Sequence, residues 1–156
     1  MKNYKIFCPD LMFNDYVKSS WCTNVEAIEG KLPINKELRN NNIYAIDIKP
    51  KKDKEWFAFS LPITKNWKSE NLSNLKVPKL NFDIIGCDAF KLNISFVSGT
   101  DEVVKKTVVI NISDTENWNN ISIPVEIIEN LRMIEFSGSS SVYNFLIKNI
   151  AIVSND

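Results

Sequence analysis

The side chains of this chain that could do binding chemistry lie on short stretches where apolar and polar residues alternate. In the stretch 55–61, Phe57 and Phe59 fall on one face of a strand and Trp56 falls on the other. If the phenylalanines are in the core, the Trp56 indole stands on a polar surface. The same stretch and the other alternating stretches are predicted to add amides, hydroxyls, carboxylates and a lysine to this polar face: Asp47, Ser60, Asn81, Asp83, Lys91, Asn93 and Ser95.

This combination of side chains suits the recognition of a sugar. A pyranose ring has an apolar C–H face that can stack on an indole, and its hydroxyl groups need hydrogen-bond donors and acceptors. We therefore predict that Trp56 stacks on a sugar ring while polar neighbours bind the hydroxyls: Asn81, Asp83, Lys91, Asn93 and Arg132. The alternative is that the amino-terminal segment covers Trp56, or that this residue stands on a solvated sheet without a ligand.

The composition excludes several other kinds of site. The chain has 156 residues and no histidine, so Ser-His-Asp catalysis, Cys-His catalysis and histidine-ligated metals cannot be built from it alone. Its four glycines are too scattered for the glycine-rich loops that bind nucleotide phosphates. With 19 basic residues balanced by 19 acidic ones, and with Arg39 and Arg132 as the two arginines, it lacks the charge of a general nucleic-acid binder.

Neither a targeting signal nor a disulfide framework can be read from the sequence. Cys8, Pro9 and Asp10 interrupt the first residues before the apolar run of a signal peptide could develop. No stretch approaches the ~20 apolar residues of a membrane helix, so no membrane partner is predicted and the cellular location stays open. Cys8, Cys22 and Cys87 are odd in number and lack CxxC spacing, which leaves free thiols or at most one disulfide.

Alternating stretches also predict the fold. After residue 40 about eight of them, rich in Ile, Val and Phe, are separated by polar residues and proline; the clearest spans Phe90–Phe96. Residues Val103–Lys106 are predicted to join that strand to the next one, at 107–113, in a hairpin. Only Val125–Asn130 suggests a helical turn, with Pro124 before it. Strands without intervening helices predict an all-β fold, an antiparallel β-sandwich or jelly roll.

The chain is predicted to form one domain over residues 1–156. Residues 1–39 show few clean alternations and are predicted to pack on the sandwich as an irregular segment. Trp118, just ahead of a strand, is expected to fill the end of the core, whereas Trp67 could be a surface platform or a core residue. The facing of Trp21 and Tyr143 cannot be assigned from the pattern.

Three segments of the carboxy-terminal half share motifs with a known family: NWNNISIP at 117–124, LRMIEF at 131–136 and YNFLIKNIAIV at 143–153. They resemble the Trp-x-x-(I/V)-x-(I/V)-Pro segment and the closing strand of non-catalytic carbohydrate-binding modules of the galactose-binding-like β-sandwich type. The resemblance covers residues 40–153 in strand order. It implies a jelly-roll fold, a polysaccharide or oligosaccharide partner, and an extracellular location, because such modules usually accompany secreted glycoside hydrolases.

The chain departs from that family pattern at one position that concerns metals. The closing strand of such modules commonly has two aspartates, the first of which often contributes to a structural calcium site. Here the corresponding residues are Lys148 and Asn149, and an ammonium group at this place would repel the cation. We therefore expect neither a calcium site nor any other cofactor.

The sequence leads to three hypotheses for function. The first is a non-catalytic carbohydrate-binding domain whose binding is weak and needs no metal. The alternative is a protein-interaction or assembly domain on the same fold, with surface aromatics at an interface. The third is a polysaccharide-degrading enzyme, for which two carboxylates at a defined separation are required and no pair stands out. The glycan and the oligomeric state are left open.

Overall fold

The computed structural model describes residues 2–7, 21–27, 32–35, 45–64, 67–99 and 104–154, and the structural statements below concern these residues. Strands are its regular elements, and each extends over a stretch where apolar and polar residues alternate or where apolar residues run together. Their bounds are β1 Lys2–Phe7, β2 Trp21–Thr23, β3 Ile34–Asn35, β4 Ala45–Ile48, β5 Trp56–Pro62, β6 Lys79–Gly86, β7 Phe90–Ser98, β8 Lys105–Ile112, β9 Asn119–Pro124, β10 Leu131–Ser139 and β11 Phe145–Ser154.

The strands form two antiparallel sheets. Sheet A has the order β3-β4-β11-β6-β9, with β1 paired to the second half of β11. Sheet B has the order β2-β5-β10-β7-β8. The predicted all-β antiparallel sandwich is therefore confirmed. In the part of the chain that the structure describes, no helix is long and apolar enough to span a membrane.

The core lies between the inner faces of the two sheets, and aromatic rings connect them. Phe59 and Phe136 of sheet B stack with ring centroids 4.9 Å apart. Phe82 of sheet A meets Phe136 edge-on at 5.6 Å, and Phe145 of sheet A lies 6.0 Å from Phe57. All five side chains are almost completely buried. Each such burial stabilises the fold by about 1.5–3 kcal/mol, which fixes Phe57 and Phe59 on the inner face of β5 and therefore places Trp56 on its outer face.

The strand predictions are confirmed for the region after residue 40. Strands β4–β11 are eight in number, and β7 and β8 pair as the predicted hairpin, with Phe90 opposite Ile112. The predicted helical turn at Val125–Asn130 is wrong. This segment is a loop, because its backbone groups bond to another loop: Val125 N–H donates to the Pro78 carbonyl, and the Ile128 carbonyl accepts from Leu72 N–H.

The described part of the amino-terminal segment 1–39 contains three strands, β1, β2 and β3, each of which joins a sheet edge or extends one. Strands β2 and β3 are only three and two residues long, too short for a period of two to show in the sequence. Cys8, Tyr44 and Val103, the first residue of the predicted connection Val103–Lys106, lie outside the described residues, and Lys105 and Lys106 already belong to β8.

Candidate functional site

The outer face of sheet B is the surface that carries Trp56. Because residues directly opposite each other on neighbouring strands point to the same side of a sheet, the register gives the composition of this face. One row across all five strands consists of Trp21, Ser60, Glu135, Ser95 and Thr107. The next row consists of Thr23, Ala58, Ser137, Asn93 and Val109. Small and polar side chains thus form the floor.

Two tryptophans rise from this floor. Trp21 on β2 and Trp56 on β5 are each 51% exposed. Trp21 lies opposite Ser60, which is four residues from Trp56 along β5, so the two Cα atoms are about 14 Å apart along the sheet surface. One sugar ring is too small to span that distance. The two indoles therefore suit two separate units of an oligosaccharide better than a single monosaccharide.

Both tryptophans line one groove, which we call the tryptophan groove. Its volume is about 510 Å³, within the range of small-molecule sites. Lys105 and Glu135 close one side of it with an ion pair of 2.6 Å between Nζ and Oε1. Its other lining residues include Ala58, Asn93, Ser137, Gly138 and Ser139. The groove thus combines two apolar planes with charged and polar hydrogen-bonding groups.

A second groove of about 410 Å³ continues the surface past Trp56, and we call it the tyrosine groove. It shares Asn93, Gly138 and Ser139 with the tryptophan groove. Tyr143, which is 56% exposed, forms one wall, and Lys91 lies on the floor. The two grooves therefore form one continuous surface on sheet B.

The floor includes a hydroxyl group with an unusual environment. Ser60 is completely buried between Trp21 and Glu135 in its row. Its Oγ makes no hydrogen bond to any described residue. By contrast, the Ser95 and Thr107 hydroxyls further along the row bond to each other at 2.9 Å. The Ser60 hydroxyl is thus removed from solvent at a position whose cross-strand neighbours are Trp21 and Glu135.

The structure brings together three of the residues that the sequence assigned to the site. Trp56, Lys91 and Asn93 all lie on the outer face of sheet B, and Asn93 lines both grooves. The prediction that Asn81 and Asp83 share this face is wrong. Both lie on β6 in sheet A, because the chain crosses from one sheet to the other between β6 and β7. The same correction applies to Asp47, which lies on β4.

On sheet A, Asp83 is held by two amides. Asn120 Nδ2 donates to Asp83 Oδ1 at 2.8 Å, and Asn149 Nδ2 donates to Asp83 Oδ2 at 2.7 Å. Asn149 has a φ of 54° at an irregularity in the pairing of β11 with β6. An asparagine tolerates this left-handed conformation better than most residues, and its bond to Asp83 fixes it. The Oδ1 atom of Asn81, on the same strand, is buried without a hydrogen bond to any described residue.

Trp118 directly precedes β9 of sheet A, and the prediction that it fills the core is wrong. It is half-buried, and its ring centroid lies 4.0 Å from Lys148 Nζ. Lys148 pairs with Asp83 and thus points to the outer side of the sheet. A cation over an indole face is attracted by the ring quadrupole, which accounts for the position of Trp118 outside the core. No cluster of acidic residues and cysteines that could hold a metal occurs within the described residues.

Arg132 lies at the start of β10, away from the two grooves. Its Nε donates to the backbone carbonyl of Trp67 at 3.1 Å. Trp67 itself is half-buried with a φ of 58°. Arg132 therefore supports the loop that follows β5, and it is not among the residues lining either groove.

Sequence reasoning missed Trp21 and Tyr143 as parts of the surface. Trp21 lies in a strand of three residues, where alternation cannot be seen. Tyr143 lies in the loop between β10 and β11. A signal did exist in composition: tryptophans and tyrosines in polar surroundings are often surface residues that bind partners.

Comparison with known proteins agrees with this architecture. Residues 6–154 match the family model described as carbohydrate binding domain 30. The structure is similar to the family 30 carbohydrate-binding module of the cellulosomal cellulase Cel9D-Cel44B of Clostridium thermocellum, with a TM-score of 0.82 and 19% identity over 100% of this chain and 99% of that one. It is also similar to a variant of a family 29 carbohydrate-binding module, with a TM-score of 0.61 and 18% identity over 96% of this chain and 90% of that one.

A search of the curated proteins found no match. The family model nevertheless spans nearly the whole chain, and it confirms the predicted relation to β-sandwich carbohydrate-binding modules. The function predicted first, non-catalytic binding of a polysaccharide or oligosaccharide, follows from that membership. This chain belongs to the family of carbohydrate binding domain 30.

Proposed function

We propose that the outer face of sheet B is the carbohydrate-binding surface and that Trp21 and Trp56 stack on two units of one glycan chain. The observation that carries the proposal is the pair of half-exposed indoles in a single groove. Burying apolar surface against the C–H face of a sugar is favourable, and the groove supplies both donors and acceptors for hydroxyls. Asn93 and Lys91, predicted from the sequence as hydroxyl-binding residues, lie within reach of the same chain on the floor.

The glycan is proposed from the relatives. One similar structure is the module of a cellulase, so a β-1,4-linked glucan is the first candidate ligand. Successive sugar units of such a flat chain turn alternate C–H faces toward the sheet. The small side chains between the two indoles leave room for a chain of this shape. We infer from the same comparison that the domain works beside a polysaccharide-degrading catalytic domain and increases the local concentration of that domain on its substrate.

The competing surface is the outer face of sheet A, where Asn81, Asp83 and Trp118 lie. The two faces can be separated by isothermal titration calorimetry with cellohexaose and by co-sedimentation with cellulose. We expect Trp21→Ala and Trp56→Ala to weaken binding and Asp83→Asn to leave it unchanged. Trp118→Ala is the matched control, since it removes an indole from the opposite sheet.

The opposite pattern would contradict the proposal. If Trp118→Ala or Asp83→Asn abolished binding while Trp56→Ala retained it, sheet A would be the binding face. Circular dichroism melts of all four variants should be compared with the wild type, so that a loss of binding is not confused with a loss of folding.

A further inference from the structure

Tyr143 stands at the end of the binding surface beyond Trp56, on a loop that is tied to the turn preceding Trp56. The Ser140 N–H donates to the Glu55 carbonyl at 3.2 Å, and the Ser140 hydroxyl donates to the Lys54 carbonyl. Trp56, the next residue after Glu55, lies opposite Ser139 in the sheet. Two hydrogen bonds of Ser140, three residues before Tyr143, thus hold the start of the β10–β11 loop beside the turn that precedes Trp56.

Lys52 adds a second connection between the same turn and the same loop. Its Nζ donates to the carbonyl of Ser140 at 3.0 Å and to the carbonyl of Val142. The same ammonium lies 5.3 Å from the centroid of the Tyr143 ring. A cation near the face of an aromatic ring is attracted by the ring quadrupole. Lys52 therefore restrains both the loop and the ring at the edge of the surface.

The tyrosine groove in front of this ring has the composition of a sugar site. Tyr143 keeps 56% of its surface exposed. Asp88 and Lys91 provide an acceptor and a donor on one side, and the Ser141 hydroxyl lies on the other. Since the groove shares Asn93 and Ser139 with the tryptophan groove, a chain lying on Trp56 can continue into it without leaving the sheet.

We propose that Tyr143 forms a further sugar-stacking subsite, adjoining that of Trp56, and that Lys52 is the residue that positions it. The inference rests on the proposed function and extends it: the ligand is a glycan chain that crosses both grooves, and its affinity increases when it is long enough to reach Tyr143. A ring held in place before binding loses little conformational freedom on contact with the sugar, which favours affinity.

The test is a calorimetric titration with a ladder of cello-oligosaccharides from the disaccharide to the hexasaccharide. For the wild type, affinity should rise with length until the chain covers both grooves. Tyr143→Ala should lower the affinity for the longest ligands about tenfold and leave that for the shortest ones within about twofold. Tyr143→Phe, which retains the ring, is the matched control and should behave like the wild type.

The positioning role of Lys52 needs its own readout. Lys52→Gln should weaken only the long ligands, and Lys52→Arg should restore them. In the double variant with Tyr143→Ala, Lys52→Gln should cause no further loss, because both changes remove the same subsite. A purely structural role would instead lower the melting temperature and weaken ligands of every length.

The possible outcomes distinguish a failure of the Tyr143 subsite from a failure of the proposed function. If Tyr143→Ala matches the wild type at every length, the subsite is refuted while the tryptophan groove stands. If Tyr143→Ala weakens the disaccharide as much as the hexasaccharide, Tyr143 is not an extension and the inference is also refuted. If the wild type binds no member of the ladder and no cellulose, the proposed ligand fails and the subsite fails with it.

Discussion

Removal of the Trp56 side chain is the most direct test of the binding face. The indole is 51% exposed, and its strand is held by core residues on the opposite side, Phe57 and Phe59. The backbone carbonyl of Trp56 accepts a hydrogen bond from Asn24 Nδ2 at 2.9 Å, which an alanine at the same position can keep. Trp56→Ala is therefore expected to weaken glycan binding and to leave the fold intact.

The size of the effect follows from the exposed area. A tryptophan side chain offers about 250 Å², so an exposure of 51% leaves about 125 Å² in contact with solvent. A sugar stacked on one face covers about half of that and buries a similar area of its own, about 120 Å² together, or about 3 kcal/mol at 25 cal/mol/Å². Since area does not convert fully into affinity, we expect a loss of about 1–3 kcal/mol, which is about 5- to 150-fold in Kd.

The assay is isothermal titration calorimetry with cellohexaose, supported by affinity electrophoresis in gels that contain a soluble β-glucan. Trp56→Phe is the graded control, because a smaller ring retains part of the stacked area and should lose less affinity than Trp56→Ala. Far-ultraviolet circular dichroism and the melting temperature report on folding.

Either of two outcomes would contradict the prediction for Trp56→Ala. If Trp56→Ala binds the oligosaccharide within twofold of the wild type, the exposed area of this indole is not buried by the ligand, and the placement of the glycan on sheet B is wrong. A large fall in melting temperature would point instead to a structural role for Trp56 that its exposure does not show.

Three further predictions concern stability and reactivity. Ser60→Ala removes a buried hydroxyl that has no hydrogen bond to the described residues, so it should stabilise the fold by about 1 kcal/mol, or about 2–4 °C in Tm; a lower Tm would contradict this. Hydrogen bonds from the backbone N–H groups of Asn117 and Glu116 lower the pKa of the Asp114 carboxyl below its ordinary value of 3.8. The stabilisation is therefore present above that value and is lost as the pH falls through the lowered pKa. Urea unfolding should show that Asp114→Ala destabilises the fold at neutral pH and has progressively less effect as the pH is lowered below 3.8. Burial raises the pKa of the Cys22 thiol while Cys87 is exposed, so peptide mapping after brief iodoacetamide treatment should find Cys87 modified before Cys22; faster modification of Cys22 would contradict the structure.

The fold could be predicted from the sequence because local periodicity reflects burial directly. The alternation in Phe90–Phe96 matches strand β7, in which Leu92, Ile94 and Phe96 are completely buried. The same argument failed for Val125–Asn130 because its spacing fits a helical turn, yet the segment bonds to a distant loop. Hydrogen bonds of that kind depend on tertiary contacts, which the spacing of apolar residues cannot show.

The candidate site could be predicted only in part, because alternation orients a side chain relative to its own strand and not relative to the other sheet. Asp83 and Asn93 are both polar positions of clear strands, β6 and β7. The connection between these strands is three residues long, 87–89, and it crosses from sheet A to sheet B. The polar faces of these two consecutive strands therefore point in opposite directions. Residues that were predicted to share one face lie on the outer faces of two different sheets.

Exposed aromatic residues are a better guide to the binding face than polar ones, and the two sheets show why. Both carboxylate oxygens of Asp83 already accept amide hydrogen bonds, so a sugar hydroxyl would replace an existing bond and gain little free energy. Trp56 and Trp21 instead expose apolar surface whose transfer from water is favourable. We therefore expect the indoles to account for the difference in binding free energy between the two faces, and we expect a glycan to bind on sheet B, where this apolar surface is exposed.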